Sequence, residues 1–297
     1  MLKELPFEFR GTRWMLGRRP LVMGILNVTP DSFSDGGQFF DPTKAVEQGL
    51  RMVADGADLI DIGGESTRPG AAVVGADEET QRVVPVIAEL SRRVTVALSI
   101  DTWKADVARA AITAGAAIVN DVSGLHRDPK MLGVVRETGV GCVLMHMRGE
   151  PATMQKLTTY ADLIGDIRDY FRETLARAAT AGVPAERFIL DPGIGFAKTA
   201  EQNLVLINRL AEFRELDRPV LAGPSRKSFI GALLPGVTPP QRGWGTAASV
   251  ACCVLRGADI IRVHDVKEMR EVATVTAAIR DADNHVHALV PAPLPGR

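Results

Sequence analysis

Cysteine is scarce: Cys142, Cys252 and Cys253 are the only three in 297 residues. Three thiols cannot build a disulfide framework, and none has the spacing of a paired metal-ligand motif. An excess of charge of one sign is also missing, with 35 Lys and Arg against 36 Asp and Glu and a formal net charge of −1. That balance argues against a chain that wraps nucleic acid or lies on anionic lipid. No stretch free of Asp, Glu, Lys and Arg reaches the roughly 18 residues of a membrane span. The start, Met1-Leu2-Lys3-Glu4, lacks the basic-then-apolar pattern of a secretory leader. Aromatics make up only 5%, so the core has to be largely aliphatic, and 28 glycines point to many tight turns. What is present, 46% hydrophobic and 24% charged residues, is an ordinary globular composition. The expectation is a soluble, cytoplasmic protein with neither a nucleic-acid nor a membrane partner.

Short apolar runs alternate with longer amphipathic segments eight times. The runs, at 21–26, 58–62, 95–100, 116–119, 141–145, 188–190, 219–222 and 259–263, are rich in Val, Ile and Leu. They are too continuous for alternating surface strands, so both faces should be buried, as in a parallel sheet. Between them, segments such as 45–54 and 160–181 carry apolar residues at helical spacing: Val46, Leu50 and Val53 in the first, Leu163, Ile167, Tyr170, Phe171 and Leu175 in the second. Eight strand–helix units of about 37 residues match an α/β chain folded as a (β/α)8 TIM barrel. An open doubly wound sheet would favour a Gly-rich turn after its first strand, whereas Leu26 is followed by Asn27-Val28-Thr29-Pro30. Residues 1–20 read as an N-terminal hairpin around Gly11 that plugs the barrel floor. The segment 284–297, with three prolines, reads as a loose tail. With no linker in sight, residues 1–297 read as one domain.

Every apolar run exits into polar residues: Asn27, the stretch from Gly63 to Arg68, Asp101, Asn120-Asp121, His146, Asp191, Ser225-Arg226-Lys227-Ser228, and Arg262 with His264. Taken singly, an Asp or Asn after a strand is most often a helix cap. Capping does not explain the late cations, and the loops after strands seven and eight of such barrels commonly hold phosphate. For Arg262 the alternative is an ion pair inside the barrel with Asp61 or Asp101. Asp101, Asn120 and Asp191 offer two carboxylates and an amide, which suit a flat heterocycle with adjacent N–H donors. No nucleophile–base pair or metal motif stands out. Cys252 and Cys253, in the apolar stretch 247–255, read as core packing, and His285 and His287 as solvated. The residues by themselves reach an enzyme acting on a phosphorylated, nitrogen-rich ring.

Read in full, these motifs resemble the dihydropteroate synthase family of pterin-binding barrels. The resemblance lies in Met23-Gly-Ile-Leu-Asn-Val-Thr-Pro-Asp-Ser-Phe-Ser-Asp-Gly-Gly37 and Asp61-Ile-Gly-Gly-Glu-Ser-Thr-Arg-Pro-Gly70. It continues through Ser99-Ile-Asp-Thr102, Asn120-Asp121, Asp191-Pro-Gly-Ile-Gly-Phe196, Ser225-Arg-Lys-Ser228 and Arg262-Val-His-Asp265, and spans about residues 20 to 280. The resemblance implies a usually dimeric enzyme of folate biosynthesis. Such an enzyme condenses a hydroxymethyl-dihydropterin diphosphate with p-aminobenzoate and releases diphosphate. It further implies that Asp101, Asn120, Asp191 and Lys227 hold the pterin and that Arg262 and His264 hold the diphosphate, with Thr67 beside them. Asn27 would be a ligand of a bound Mg²⁺. Thr67, Arg68, Pro69 and Ser228 would shape the p-aminobenzoate site, with Phe33 and Phe196 against its ring. Asp101, Lys227, Arg262 and His264 carry the chemistry in this reading, an SN1-like loss of diphosphate. The loops 27–39 and 64–73 are expected to close over the acceptor, and sulfonamides to compete with it. Trp244 is bulky for its place and is assigned to a dimer surface. Two alternatives stay open: a methyltetrahydrofolate–corrinoid methyltransferase, and a catalytically inactive pterin-binding paralogue.

Overall fold

The structure is a computed structural model that describes residues 2–29, 41–66, 74–150 and 152–282. The segment 284–297, expected as a loose tail, lies outside the described residues. Strands β1 (Leu5–Phe9) and β2 (Thr12–Leu16) pair antiparallel across Arg10-Gly11, the expected hairpin. Eight parallel strands follow: β3 (Leu21–Asn27), β4 (Leu59–Gly63), β5 (Ala97–Asp101), β6 (Ile118–Asp121), β7 (Gly141–Met145), β8 (Phe188–Asp191), β9 (Leu221–Ala222) and β10 (Ile260–Val263). The sheet runs β8-β7-β6-β5-β4-β3-β10-β9, and a parallel bridge between Leu190 and Val220 brings its two ends together. Around this TIM barrel lie α1 (Pro42–Ala54), α2 (Ala76–Arg93), α3 (Ala105–Ala114), α4 (Met131–Thr138) and α5 (Leu163–Thr180). The ring of helices continues with α6 (Ala200–Asn208), α7 (Ser228–Leu233), α8 (Gly243–Leu255) and α9 (Val266–Asp281).

Strand alternation divides the core in two. On β3, Val22 and Leu26 face the helices, while Leu21 and Met23 point into the barrel. There they join Leu59, Ile118, Val143, Ile189, Leu221 and Ile260, and the hairpin residues Phe7, Phe9, Trp14 and Leu16 pack beneath them. Phe9 and Trp14 meet edge to face at 4.9 Å between ring centroids. Three of the fifteen aromatics thus sit on the hairpin that closes the barrel floor. With the amino ends of the strands filled by apolar side chains, the polar residues are left to the carboxyl ends.

Two expectations shift. The helix expected over 160–181 begins at Leu163, because Tyr160 is held outside it by a hydrogen bond from its hydroxyl to the Ala197 carbonyl (3.0 Å). Its buried stripe is Ile164, Ile167, Phe171, Thr174 and Ala178, while Leu163, Tyr170 and Leu175 are only partly covered. Cys253 is core as expected, but Cys252 is exposed. Adjacent residues on a helix point about 100° apart, so only one of the pair can face the barrel.

Candidate active site at the carboxyl ends of the strands

Strand register sets the site. Asn27 stands opposite Gly63, Gly63 opposite Asp101, and Asp101 opposite Asn120, so the ends of β3, β4, β5 and β6 form one level of the barrel mouth. Asp61, buried one step lower on β4, ties that level together. Its Oδ2 accepts from Asn120 Nδ2 (2.8 Å) and from Arg262 Nε (2.6 Å), and Arg262 Nη2 donates to Asp101 Oδ2 (2.7 Å). Both carboxylates named as possible partners of Arg262 therefore hold it. Burial pushes the Asp101 carboxyl up to about 7; the charge on Arg262 pulls the other way and that on Asp61 adds to the rise. Asp191, at the end of β8, is also raised by burial, while the Gly193 N–H donating to its Oδ1 (2.8 Å) favours the ionised form. Asp121 holds a turn rather than capping a helix, since α4 starts only at Met131: its carboxylate accepts from Ser123 N (2.8 Å), Ser123 Oγ (2.7 Å) and Leu125 N (3.0 Å).

Phe196, after β8, and Lys227, after β9, meet each other. The Lys227 ammonium lies 3.9 Å from the Phe196 ring centroid, a cation–π contact. Gly195 makes this approach possible: it sits at φ +87°, and a Cβ there would lie 2.8 Å from Lys227 Cδ. After β9, Arg226 adopts φ +58°, unusual for a side chain of its size. Its N–H donates to Thr246 Oγ1 (3.0 Å) and its guanidinium pairs with Asp265, from Nε to Oδ2 at 3.2 Å. Ser225 Oγ lies 2.9 Å from His264 Nδ1. Ser228, the first residue of α7, is exposed.

Two groups were not anticipated. Lys198 is buried beneath the Asp191–Phe196 loop, with Nζ 3.1 Å from His146 Nδ1 and donating to the Phe196 carbonyl (2.9 Å). Burial lowers both partners, Lys198 to about 7 and His146 to about 2, so His146 is a neutral structural imidazole. The other group surrounds Glu65. Its Oε2 accepts from Lys104 Nζ (2.6 Å) and Trp103 Nε1 (3.2 Å), and its Oε1 from the Val74 N–H (3.1 Å); Lys104 also pairs with buried Glu79. The signal for Asp61 was present as an ionisable residue inside an apolar run. Lys198 and Lys104 carry no comparable mark in sequence.

Phe33, Thr67, Arg68 and Pro69, and with them most of the loops 27–39 and 64–73, lie outside the described residues. Among the described residues no group of three or more His, Cys, Asp or Glu could hold a metal ion. No helix among them is long and apolar enough to cross a membrane. The arrangement that remains is a barrel mouth in which the carboxylates and amide of Asp61, Asp101, Asn120 and Asp191 are interleaved with the cation of Arg262, with Lys227 and His264 at the exits of β9 and β10. It suits a ring rich in N–H groups that carries an anionic substituent.

The chain is similar to known proteins. A family model described as pterin binding enzyme matches residues 23–264. A dihydropteroate synthase from Synechocystis is 51% identical over 274 residues, covering 92% of this chain and 95% of that protein. The Escherichia coli K12 enzyme of the same name is 48% identical over 263 residues, 89% of this chain and 93% of that one. A dihydropteroate synthase from Xanthomonas albilineans, solved with 4-aminobenzoic acid, superposes with a TM-score of 0.86 at 42% identity, covering 97% of this chain and 100% of its own. With a matching family model and near-full-length relatives above 45% identity, the chain belongs to the dihydropteroate synthase family of pterin-binding enzymes.

Proposed function

We propose that this chain condenses a hydroxymethyl-dihydropterin diphosphate with p-aminobenzoate, giving dihydropteroate and diphosphate in folate biosynthesis, and that residues 1–297 work as one pterin-binding domain. The observation that carries the reading is the Asp61-centred network, which presents Asp101 and Asn120 in register beside Arg262. Asp101, Asn120, Asp191 and Lys227 would hold the pterin by pairing carboxylate and amide groups with ring N–H and C=O groups. Arg262 and His264 would hold the diphosphate. The two ion pairs of Arg262 engage two of its five N–H groups and leave donors for a phosphate oxygen. Thr67, Arg68, Pro69, Phe33 and Ser228 would shape the acceptor site, and Phe196 would offer its ring to that of p-aminobenzoate.

In the first step the bond from the pterin methylene to diphosphate breaks and the electron pair leaves with the diphosphate oxygen. The pterin ring delocalises the resulting cation, and the carboxylates of Asp101 and Asp191 offset its charge. The aniline nitrogen then forms the C–N bond and releases a proton. Aniline is neutral near pH 7, so it needs no strong base to expose its lone pair. Closing the site against water protects the cation from hydrolysis. Asn27 fits a Mg²⁺ ion as its single protein ligand. It ends β3 half-buried at the mouth and offers one hard amide oxygen, and Mg²⁺ commonly takes its remaining positions from phosphate and water. When bound, Mg²⁺ would neutralise charge on the leaving diphosphate.

A second copy of the chain and a cytoplasmic location belong to the same reading. The first is supported by Trp244, 90% exposed on α8, and the second by three free cysteines. The deciding measurement supplies dihydropterin diphosphate, Mg²⁺ and p-aminobenzoate and follows diphosphate release. Release that depends on the acceptor, and that a sulfonamide inhibits competitively, is the expected result. Pterin binding without release would point instead to an inactive paralogue.

A further inference from the structure

The exits of β9 and β10 are cross-linked twice, by Arg226 with Asp265 and, one residue earlier on each side, by Ser225 with His264. Ser225 is buried. Its Oγ accepts from the His264 backbone N–H (3.2 Å) and lies 2.9 Å from Nδ1 of the same residue. A hydroxyl has one proton to give and two lone pairs. With one lone pair taken by the backbone N–H, the hydroxyl proton can be directed at Nδ1. We infer that Ser225 is a positioning residue that donates to His264 Nδ1 and holds the imidazole in the tautomer with its proton on Nε2. The inference deepens the function proposed above and rests on its assignment of His264 to the diphosphate.

The consequence is chemical. A neutral imidazole of this tautomer donates from Nε2, so it can bond an anionic phosphate oxygen without first taking up a proton. The other tautomer would present a lone pair to that oxygen and repel it. The surrounding loop keeps the hydroxyl in place. Arg226 is held in its left-handed conformation by its N–H bond to Thr246 on α8 and by Asp265, which precedes α9. The loop carrying Ser225 is thereby tied to α8 on one side and to the residue after His264 on the other.

The test reads the ring directly. NMR of the full chain with isotope-labelled histidine nitrogens reports the protonation of each imidazole nitrogen, and His264→Gln identifies the relevant signals. The expected pattern for neutral His264 is an unprotonated Nδ1 and a protonated Nε2. Ser225→Ala is expected to give mixed tautomers and to weaken binding of inorganic diphosphate with Mg²⁺ about twofold, because an even mixture halves the competent fraction. Ser225→Thr keeps the hydroxyl and should restore both readouts, and the KM for p-aminobenzoate should stay unchanged in either variant. An Nδ1–H tautomer in the unmodified chain overturns the inference, whether or not the chain turns over. So does a folded Ser225→Ala variant with full diphosphate affinity. If the unmodified chain binds no diphosphate, the functional reading fails. The hold of Ser225 on the ring is then judged by the tautomer alone.

Discussion

Two of the five N–H groups of Arg262 are committed to Asp61 and Asp101, so the guanidinium is fixed before any substrate arrives. An Arg that needs no reorganisation to meet charge contributes more to a reaction than one that must be ordered first. Asp101 has the complementary part, and Asp101→Asn keeps its shape while removing its charge. Turnover is expected to fall tenfold or more, since a charge-assisted hydrogen bond contributes about 1.5–3 kcal/mol. Unchanged turnover would rule out the cation-stabilising role. A pH signature accompanies it. Burial raises the native pKa of Asp101 from 3.8 to about 7, so the folded chain keeps a proton that the unfolded chain has already released. Its contribution to stability is complete below the unfolded value and is lost as the pH rises through about 7. Urea midpoints measured across that window should show a shallower decline for Asp101→Asn than for the unmodified chain. Asp101, Asn120 and Asp191 were legible as polar residues at the barrel mouth because they interrupt the pattern at strand ends. Asp61 was legible only as a possible partner of Arg262, because nothing in sequence tells which of two carboxylates a guanidinium will reach. It reaches both.

The exit of β4 is built from three elements. Gly64 passes so close to α2 that a Cβ would lie 2.8 Å from Val83 Cγ1, and Arg82 Nη1 donates to the Gly64 carbonyl (2.8 Å). Glu65 then spans from Lys104, which precedes α3, to the Val74 N–H ahead of α2. Lys104 pairs with both Glu65 and Glu79, and Glu79 is fully buried with its pKa raised by that burial. Lys104→Met should therefore cost about 3 kcal/mol in chemical denaturation, the penalty for stranding buried charge. Lys104→Met combined with Glu79→Leu should recover most of the loss. If the single variant is as stable as the unmodified chain, the hub is not what holds this exit. The pairing with Lys104 was not legible in the sequence, for a physical reason. Glu79 follows Asp77 and Glu78 in the first turn of a helix, where acidic residues usually complement the dipole in solvent. The third faces inward because it continues the buried stripe of Val83, Val86 and Leu90, where Lys104 meets it.

At the scale of the whole molecule, the barrel leaves large apolar side chains on its outer surface. Trp244 on α8, Leu233 on α7, and Val275 and Ile279 on α9 are all exposed, and α8 packs on α9. If a second copy covers this face, Trp244→Asp should convert dimer to monomer in sedimentation while the monomer keeps its fold. An unmodified chain that is monomeric at micromolar concentration would refute that reading. The barrel itself was legible because burying both faces of a parallel strand demands an unbroken aliphatic run, and eight such runs alternate with helical stripes. Their ends moved by a residue or two. Asp58 and Asp259, expected inside strands, stand just before β4 and β10, where their carboxylates accept from the Val22 and Val220 N–H groups (2.8 Å each). The near-zero net charge excluded a polyanion-wrapping partner at the outset, and a local cluster is all that a small diphosphate requires. By itself the sequence determined the eight-fold alternation, the polar exits and the family, because these depend on local periodicity and on contiguous motifs. The tertiary structure alone decided which carboxylates hold Arg262, which serine holds His264, and that Lys104 and Lys198 are buried. Those choices depend on residues up to 201 positions apart, brought level only by the register of a closing sheet.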